Sequence, residues 1–278
     1  MQAQPVQWHG TPCLQLQVDG ASAMVALHGA QLLSWRTRDG RERLFLGERA
    51  RFHEGSAIRG GIPVIFPQFG ARGSLRKHGF ARLRAWRCVG VDTHAARFEL
   101  AGVPGDGEWP HAFVARLRVE LGARQLGIGF EVENHGAQPF TFTAALHSYL
   151  RVDDCAAVAL HGLQGLRYED SAAGGTLALE QASLLRVDGE LDRIYAAAGA
   201  PVELHEGNER LQVTQHGFGD VVVWNPGAAL AARIDDLAAG EYRRFVCVEA
   251  AQVLQPVRLA PRACWRAGQA LRVMPHRG

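Results

Sequence analysis

Phe113-Val114-Ala115-Arg116-Leu117-Arg118-Val119-Glu120 and, a few residues on, Leu126-Gly127-Ile128-Gly129-Phe130-Glu131-Val132-Glu133 decide the fold class. In the second run Leu126, Ile128, Phe130 and Val132 alternate with Gly127, Gly129, Glu131 and Glu133. A period of two sends alternate side chains to opposite faces, which is the pattern of a half-buried strand and not of a helix. Gly122-Ala123-Arg124 between the runs reads as a hairpin turn.

Similar short runs recur on both sides. They lie at Cys13 to Val18, Met24 to Leu27, Leu44 to Leu46, Trp86 to Val91, Arg97 to Leu100, Phe140 to Ala144, Leu211 to Gln215, Val221 to Trp224, Phe245 to Val248 and Leu271 to Met274. Asn134-His135-Gly136 and Asn225-Pro226-Gly227 supply turn chemistry between them. The alanine-rich stretches around Ala172 and Ala196 are short and broken by glycine, so they do not read as helices. Strands at regular spacing without intervening helices predict an all-β protein, a large antiparallel sandwich with few short helices. With no fixed-period repeat and no linker in sight, residues 1–278 are expected to form a single domain.

Composition narrows the function classes. A net charge of +2 gives no sign of a nucleic-acid or acidic-membrane partner, and no segment approaches the about 18 apolar residues of a membrane span. Five cysteines at 13, 88, 155, 247 and 264 form an odd set without close pairs, which suits scattered thiols and predicts a cytoplasmic location. Of the 30 basic residues only Lys77 is a lysine, so Schiff-base chemistry and a phosphate-loop lysine are poor candidates over most of the chain. The twelve histidines show no metal-ligand spacing, and no nucleophile elbow, P-loop or dinucleotide fingerprint occurs. We expect neither metal nor cofactor, and a monomer.

The remaining chemistry sits in five separated pieces. Arg59-Gly60-Gly61-Ile62-Pro63 sets a guanidinium before two glycines, either to let backbone approach an oxyanion or simply to make a surface turn. Arg76-Lys77-His78-Gly79-Phe80-Ala81-Arg82 gathers three fixed cations and a histidine, which fits a small phosphate or a solvated basic loop. His147 closes the apolar run from Phe142 and precedes Tyr149, a place for a cleft imidazole or for a satisfied structural one. Leu191-Asp192-Arg193-Ile194-Tyr195 offers a carboxylate for a hydroxyl, with an ion pair to Arg193 as the default. Glu249 is the most telling, because it continues Arg244-Phe245-Val246-Cys247-Val248, and a carboxylate in a buried run needs a partner or a task.

Taken together with Gly29-Ala30-Gln31-Leu32-Leu33-Ser34-Trp35 and Val221-Val222-Val223-Trp224-Asn225-Pro226, these pieces resemble, in order and from about Gly29 to Trp265, the hexose-6-phosphate mutarotases (glucose-6-phosphate 1-epimerases) of the aldose 1-epimerase superfamily. The resemblance implies a galactose-mutarotase-like β-supersandwich whose concave cleft receives a sugar phosphate. It implies His147 as general acid and Glu249 as general base, Arg59 and Arg82 on the substrate and chiefly its phosphate, Asp192 on the substrate, and His78 in the same cleft. Lys77 stands where relatives are expected to carry glutamine, which adds a cation near the phosphate. A mutarotase for unphosphorylated aldoses would share the acid/base pair without needing the cations, and a noncatalytic carbohydrate-binding sandwich would need neither.

Overall fold

The computed structural model describes residues 2–93, 95–104, 109–196 and 199–275. The quoted hairpin is present as strands Phe113–Leu121 and Gln125–Asn134, paired antiparallel from Phe113 opposite Asn134 to Leu121 opposite Leu126. Its turn closes with the Gly122 N–H donating to the Gln125 carbonyl at 2.8 Å. Leu126, Ile128, Phe130 and Val132 are buried, as the period of two requires.

Every ladder between named strands among the described residues is antiparallel, and the strands fall into three sheets. Four N-terminal strands, Gln2–Trp8, Thr11–Val18, Ala21–Ala26 and Leu32–Arg36, form a meander. A nine-stranded sheet carries the hairpin beside Cys264–Val273. An eight-stranded sheet runs from the edge strand Thr176–Leu179 through Arg167–Asp170, Leu191–Ala196, Asp220–Asn225, Phe245–Leu259 and Phe140–Leu146 to Val64–Ile65, with Tyr149–Arg151 also pairing with Phe245–Leu259. The larger sheets face each other across the main core. Phe66 lies at its centre, with the rings of Phe80, Trp109, Phe113, Phe130 and Phe142 between 5.2 and 6.3 Å away, mostly edge-on. Such pairs add about 0.5–1.5 kcal/mol each beyond the area they bury.

Phe245–Leu259 places the site. Val246, Val248 and Ala250 point into the main core, whereas Cys247, Glu249, Ala251 and Val253 point to the other face of the same sheet. Both faces are therefore covered, and the strand reads as an unbroken apolar run instead of an alternating one.

Several expectations change in detail. Leu44 to Leu46 makes only isolated bridges, Leu44 to Leu150 and Leu46 to Gly60. The stretch around Ala172 is a turn, and the one around Ala196 ends the strand Leu191–Ala196, with 197 and 198 outside the described residues. Among the described residues helix is confined to one short α-helix, Gly227–Ala231, and three 3-10 turns, Ala81–Leu83, Cys155–Ala157 and Glu241–Arg244. Among the described residues no helix is long and apolar enough to cross a membrane.

Candidate active site

Cross-strand register assembles the cleft floor. Tyr149 lies opposite Cys247, Cys247 opposite Trp224, and Trp224 opposite Asp192, so these four occupy one row across four strands. Glu249, two residues beyond Cys247 and opposite Val222, shares their face because strand side chains alternate. Two small apolar clusters flank it: Ile65, Phe69, Ala145, Ile194, Val222, Ala251 and Val253 on one side, and Phe45, Tyr149, Phe245 and Cys247 on the other.

His147 enters from the turn between Phe140–Leu146 and Tyr149–Arg151, where its N–H donates to the Pro63 carbonyl at 3.0 Å. Its ring stacks on Tyr149 with centroids 4.6 Å apart and planes 8° from parallel, and the ring of Trp224 stands edge-on at 5.7 Å. Nδ1 lies 3.2 Å from Glu249 Oε1. The two are in reach but not aligned as a hydrogen bond, and His147 Nδ1 and Glu249 Oε2 are both buried without a hydrogen-bond partner. Burial disfavours the charged form of each, pushing Glu249 well above and His147 well below their ordinary values, with Asp192 raising Glu249 further and His78, Arg82 and Arg59 lowering His147 further. Burial thus favours the neutral carboxyl and the neutral imidazole over the charged pair, and sets two groups that can hold a proton side by side.

The other residues singled out in the sequence surround this pair, with different engagements. Arg59 is already committed: Nε donates to Asp236 Oδ1 at 3.0 Å, Nη2 forms an ion-pair contact with the same oxygen at 3.0 Å, and Nη1 donates to the Tyr149 hydroxyl at 2.8 Å. Gly60 and Gly61 do not open the backbone to a ligand. A Cβ on Gly61 would meet the Leu32 carbonyl oxygen at 2.0 Å and one on Gly60 the Phe45 carbonyl oxygen at 2.4 Å, so the glycines let this loop pack on neighbouring chain. Arg82 makes no ion pair among the described residues. Its Nη2 donates to the Lys77 carbonyl at 3.0 Å while Nε is buried and unpartnered. Burial pulls its pKa down to about 10, which leaves it a cation at neutrality.

His78 adopts a left-handed backbone at φ +66° and accepts from the Gly70 N–H through Nδ1 at 3.2 Å, which assigns its hydrogen to Nε2. Its ring is edge-on to His147 at 5.7 Å. Burial, with Arg82, Lys77 and Arg59 nearby, drives its pKa down to about 2, so it is a neutral donor and not a fourth cation. Lys77 is exposed at the mouth, an electrostatic neighbour of both His78 and Asp192. Asp192 does not pair with Arg193. Neighbours on a strand face opposite ways, and Arg193 turns to Asp170 (3.1 Å) and Glu180 (2.9 Å), leaving the Asp192 carboxyl in the cleft with its pKa raised by burial to about 6.

Sequence reading missed four participants. Asp236 is 177 positions from the arginine it pairs with, and nothing local marks it. Trp224 passed as the end of an apolar run, and Cys247 had a signal in its spacing of two from Glu249. Gln31 is the fourth: its Nε2 donates to the carbonyls of Ile58 (3.0 Å) and Gly60 (2.7 Å), bracketing Arg59, while Gly29 two residues earlier packs where a Cβ would lie 2.8 Å from the Arg82 carbonyl oxygen. Gly29 to Gln31 thus braces both arginine segments.

An antiparallel sandwich with a buried imidazole and carboxyl on its cleft face, ringed by guanidinium groups, defines a galactose-mutarotase-like sandwich. The chain belongs to the aldose 1-epimerase family, whose model matches residues 12–272, and with it to the isomerases. It is 36% identical over 268 residues to a Cenchrus ciliaris protein named "Putative glucose-6-phosphate 1-epimerase", covering 91% of this chain and 82% of that one. An Escherichia coli protein of the same name is 33% identical over 260 residues, covering 90% and 86%. The crystal structure of a "putative mutarotase" from Salmonella typhimurium superposes with a TM-score of 0.89 at 31% identity, covering 99% of this chain and 94% of that one.

Proposed function

We propose that the protein interconverts the α and β anomers of a hexose 6-phosphate, with glucose 6-phosphate as the first substrate to test. One observation carries the acid/base part: His147 and Glu249 are buried side by side at 3.2 Å with one polar atom of each unpartnered. Buried polar atoms left unpaired cost stability, and a ligand that pairs with them explains their retention. The names of the relatives, and the cations Arg82 and Lys77, which form no ion pair among the described residues, support a phosphorylated sugar.

Ring opening removes the proton from O1 and delivers one to O5; the C1–O5 bond breaks as C1=O1 forms. For this, Glu249 is the carboxylate that accepts and His147 the imidazolium that donates, so that opening leaves a neutral carboxyl and a neutral imidazole. That is the resting protonation burial favours, and it makes the empty site match the open aldehyde state. After rotation about C1–C2, Glu249 returns its proton to O1 and His147 recovers one from O5. Transfer of the resting proton across the 3.2 Å gap gives the charged pair that opens the ring. Polarimetry with freshly dissolved α-glucose 6-phosphate beside α-glucose tests this; no acceleration of either anomerisation refutes it.

Two measurements bear on the binding residues. Arg82→Gln is expected to raise KM for glucose 6-phosphate about 10- to 100-fold, the equivalent of the about 1.5–3 kcal/mol carried by a hydrogen bond to a charged group, and to leave anomerisation of free glucose unchanged. Equal losses on both sugars would remove Arg82 from the phosphate. The second is a pH profile. Asp192, raised to about 6, is ionised above that value and protonated below it, so KM is expected to rise as pH falls through about 6. The substrate phosphate also titrates near pH 6, and Asp192→Asn separates the two, since any inflection it retains belongs to the phosphate. An unchanged profile in Asp192→Asn would exclude the residue from binding.

A further inference from the structure

Cys247 has no part in the proton transfers, yet it lies on the cleft face two residues from Glu249. Sγ of Cys247, a ring nitrogen of His147 and a carboxylate oxygen of Glu249 all lie within 4.8 Å of one another, and all three residues are buried. Thiolate, imidazole and carboxylate are each zinc ligands, and three protein ligands leave the fourth tetrahedral position open. The nearest pair is already spaced for it. Two atoms about 2.0–2.1 Å from a common zinc at the tetrahedral angle are about 3.3 Å apart, and His147 Nδ1 and Glu249 Oε1 are 3.2 Å apart. Sulfur, about 2.3 Å from the metal, needs about 3.6 Å to the nitrogen, and the three ligand atoms already lie within 4.8 Å of one another.

We propose that His147, Cys247 and Glu249 form a capture site for a divalent cation of the zinc class, and that its occupation switches the enzyme off. That the cation binds follows from the geometry alone; that it inhibits rests on the acid/base reading of His147 and Glu249. An independent observation points to a ligand here, for His147 Nδ1 and Glu249 Oε2 are buried without hydrogen-bond partners.

Charge balance is favourable. Coordination uses the thiolate and the carboxylate, and a dication offsets their two negative charges, so the occupied buried site carries no net charge from its three ligands and the metal. Arg59 and Arg82 oppose a cation, but Arg59 is neutralised by Asp236 and the Asp192 carboxylate faces the same cleft. Once bound, the metal holds the lone pairs of both proton-transfer groups, and neither can exchange a proton with sugar. Donor type supports selectivity: thiolate and imidazole suit zinc-class ions, whereas magnesium prefers oxygen ligands, of which this set supplies one carboxylate.

The test uses the whole protein and the metal salt alone. Calorimetric titration of the sugar-free protein with zinc chloride is expected to give one tight site, and cobalt(II) in its place a sulfur-to-metal charge-transfer band. Cys247→Ala is expected to abolish the band and weaken the tight site about tenfold or more, a loss at least as large as that from removing an outer partner of a metal ligand. Cys247→Ser, which keeps the volume, guards against a packing defect, with thermal melts showing both variants folded. The surface pair His161 and His205, with Glu203 2.9 Å from His205 Nε2, is the alternative zinc binder, and it lacks sulfur. A cobalt spectrum without a thiolate band, or tight zinc binding unchanged in both Cys247 variants, would overturn the site. In turnover, zinc should lower the wild-type rate at least about tenfold, reversibly with a chelator, while each Cys247 variant, measured against its own zinc-free rate, should need about tenfold more zinc for the same fractional loss. Thiolate-bound zinc that leaves turnover untouched would keep the capture site, overturn the switch, and count against His147 and Glu249 as the proton-transfer pair.

Discussion

Glu249→Gln is expected to lower kcat for glucose 6-phosphate anomerisation by about 10²–10⁴-fold, the range a positioned acid or base contributes, with little change in melting temperature. The two halves of this expectation have one cause. Glu249 is 1% exposed, and burial favours its neutral carboxyl, which glutamine matches in charge and nearly in shape. The substitution adds no buried charge and opens no cavity among Val222, Ala251 and Cys247. What it removes is the ability to lose a proton. A Glu249→Gln protein that turns over like wild type would end the base assignment, whereas one that unfolds would show the carboxyl to be structural. Glu249→Ala is a poorer probe, because the void it leaves beside Trp224 and Tyr149 would mix a packing loss of about 2–5 kcal/mol into the result.

How much of this was legible in the sequence depends on whether the signal was local. The hairpin from Phe113 to Asn134 was fully readable, because one covered face and one half-open face imprint a period of two. Glu249 was readable for the opposite reason: both faces of Phe245–Leu259 are covered, so a charge in that run stands out. The strands Ala159–His161, Arg167–Asp170 and Val202–Glu206 left little trace, being short and half-exposed, with mixed polar and apolar residues. Asp192 and Arg193 are adjacent in sequence and so suggest a pair, but the period of two on Leu191–Ala196 sends their side chains to opposite faces. The engagement of Arg59 with Asp236 could not be read at all, since the pairing is made by two loops meeting over the cleft. Gly60 and Gly61 were recognised as special, but the reason is the close approach of Leu32 and Phe45, which only the fold reveals.

His147→Asn is the second expected large effect, again about 10²–10⁴-fold in kcat, and its value lies in combination with Glu249→Gln. Two independent contributions would multiply, and the double variant would lose the product of the single losses. The geometry argues otherwise. His147 and Glu249 share one proton across 3.2 Å, and opening the hemiacetal needs that proton delivered at O5 as another leaves O1, so either single substitution stops the exchange. The double variant should therefore be scarcely slower than the worse single variant, as for residues that act as a unit. Asparagine keeps a polar group against the stacked Tyr149 ring without a titratable nitrogen, so the Tyr149–Arg59–Asp236 chain of contacts, and with it KM, should be preserved while kcat falls. A matching rise in KM would instead mark His147 as a binding residue. Multiplicative losses in the double variant would mean that water or His78 replaces each partner separately. His78, neutral with its pKa near 2 and its Nε2–H free to donate, can hold an oxygen but cannot serve as the proton reservoir near neutrality, so that outcome would require solvent to reach a cleft floor where Glu249 and Cys247 are sealed.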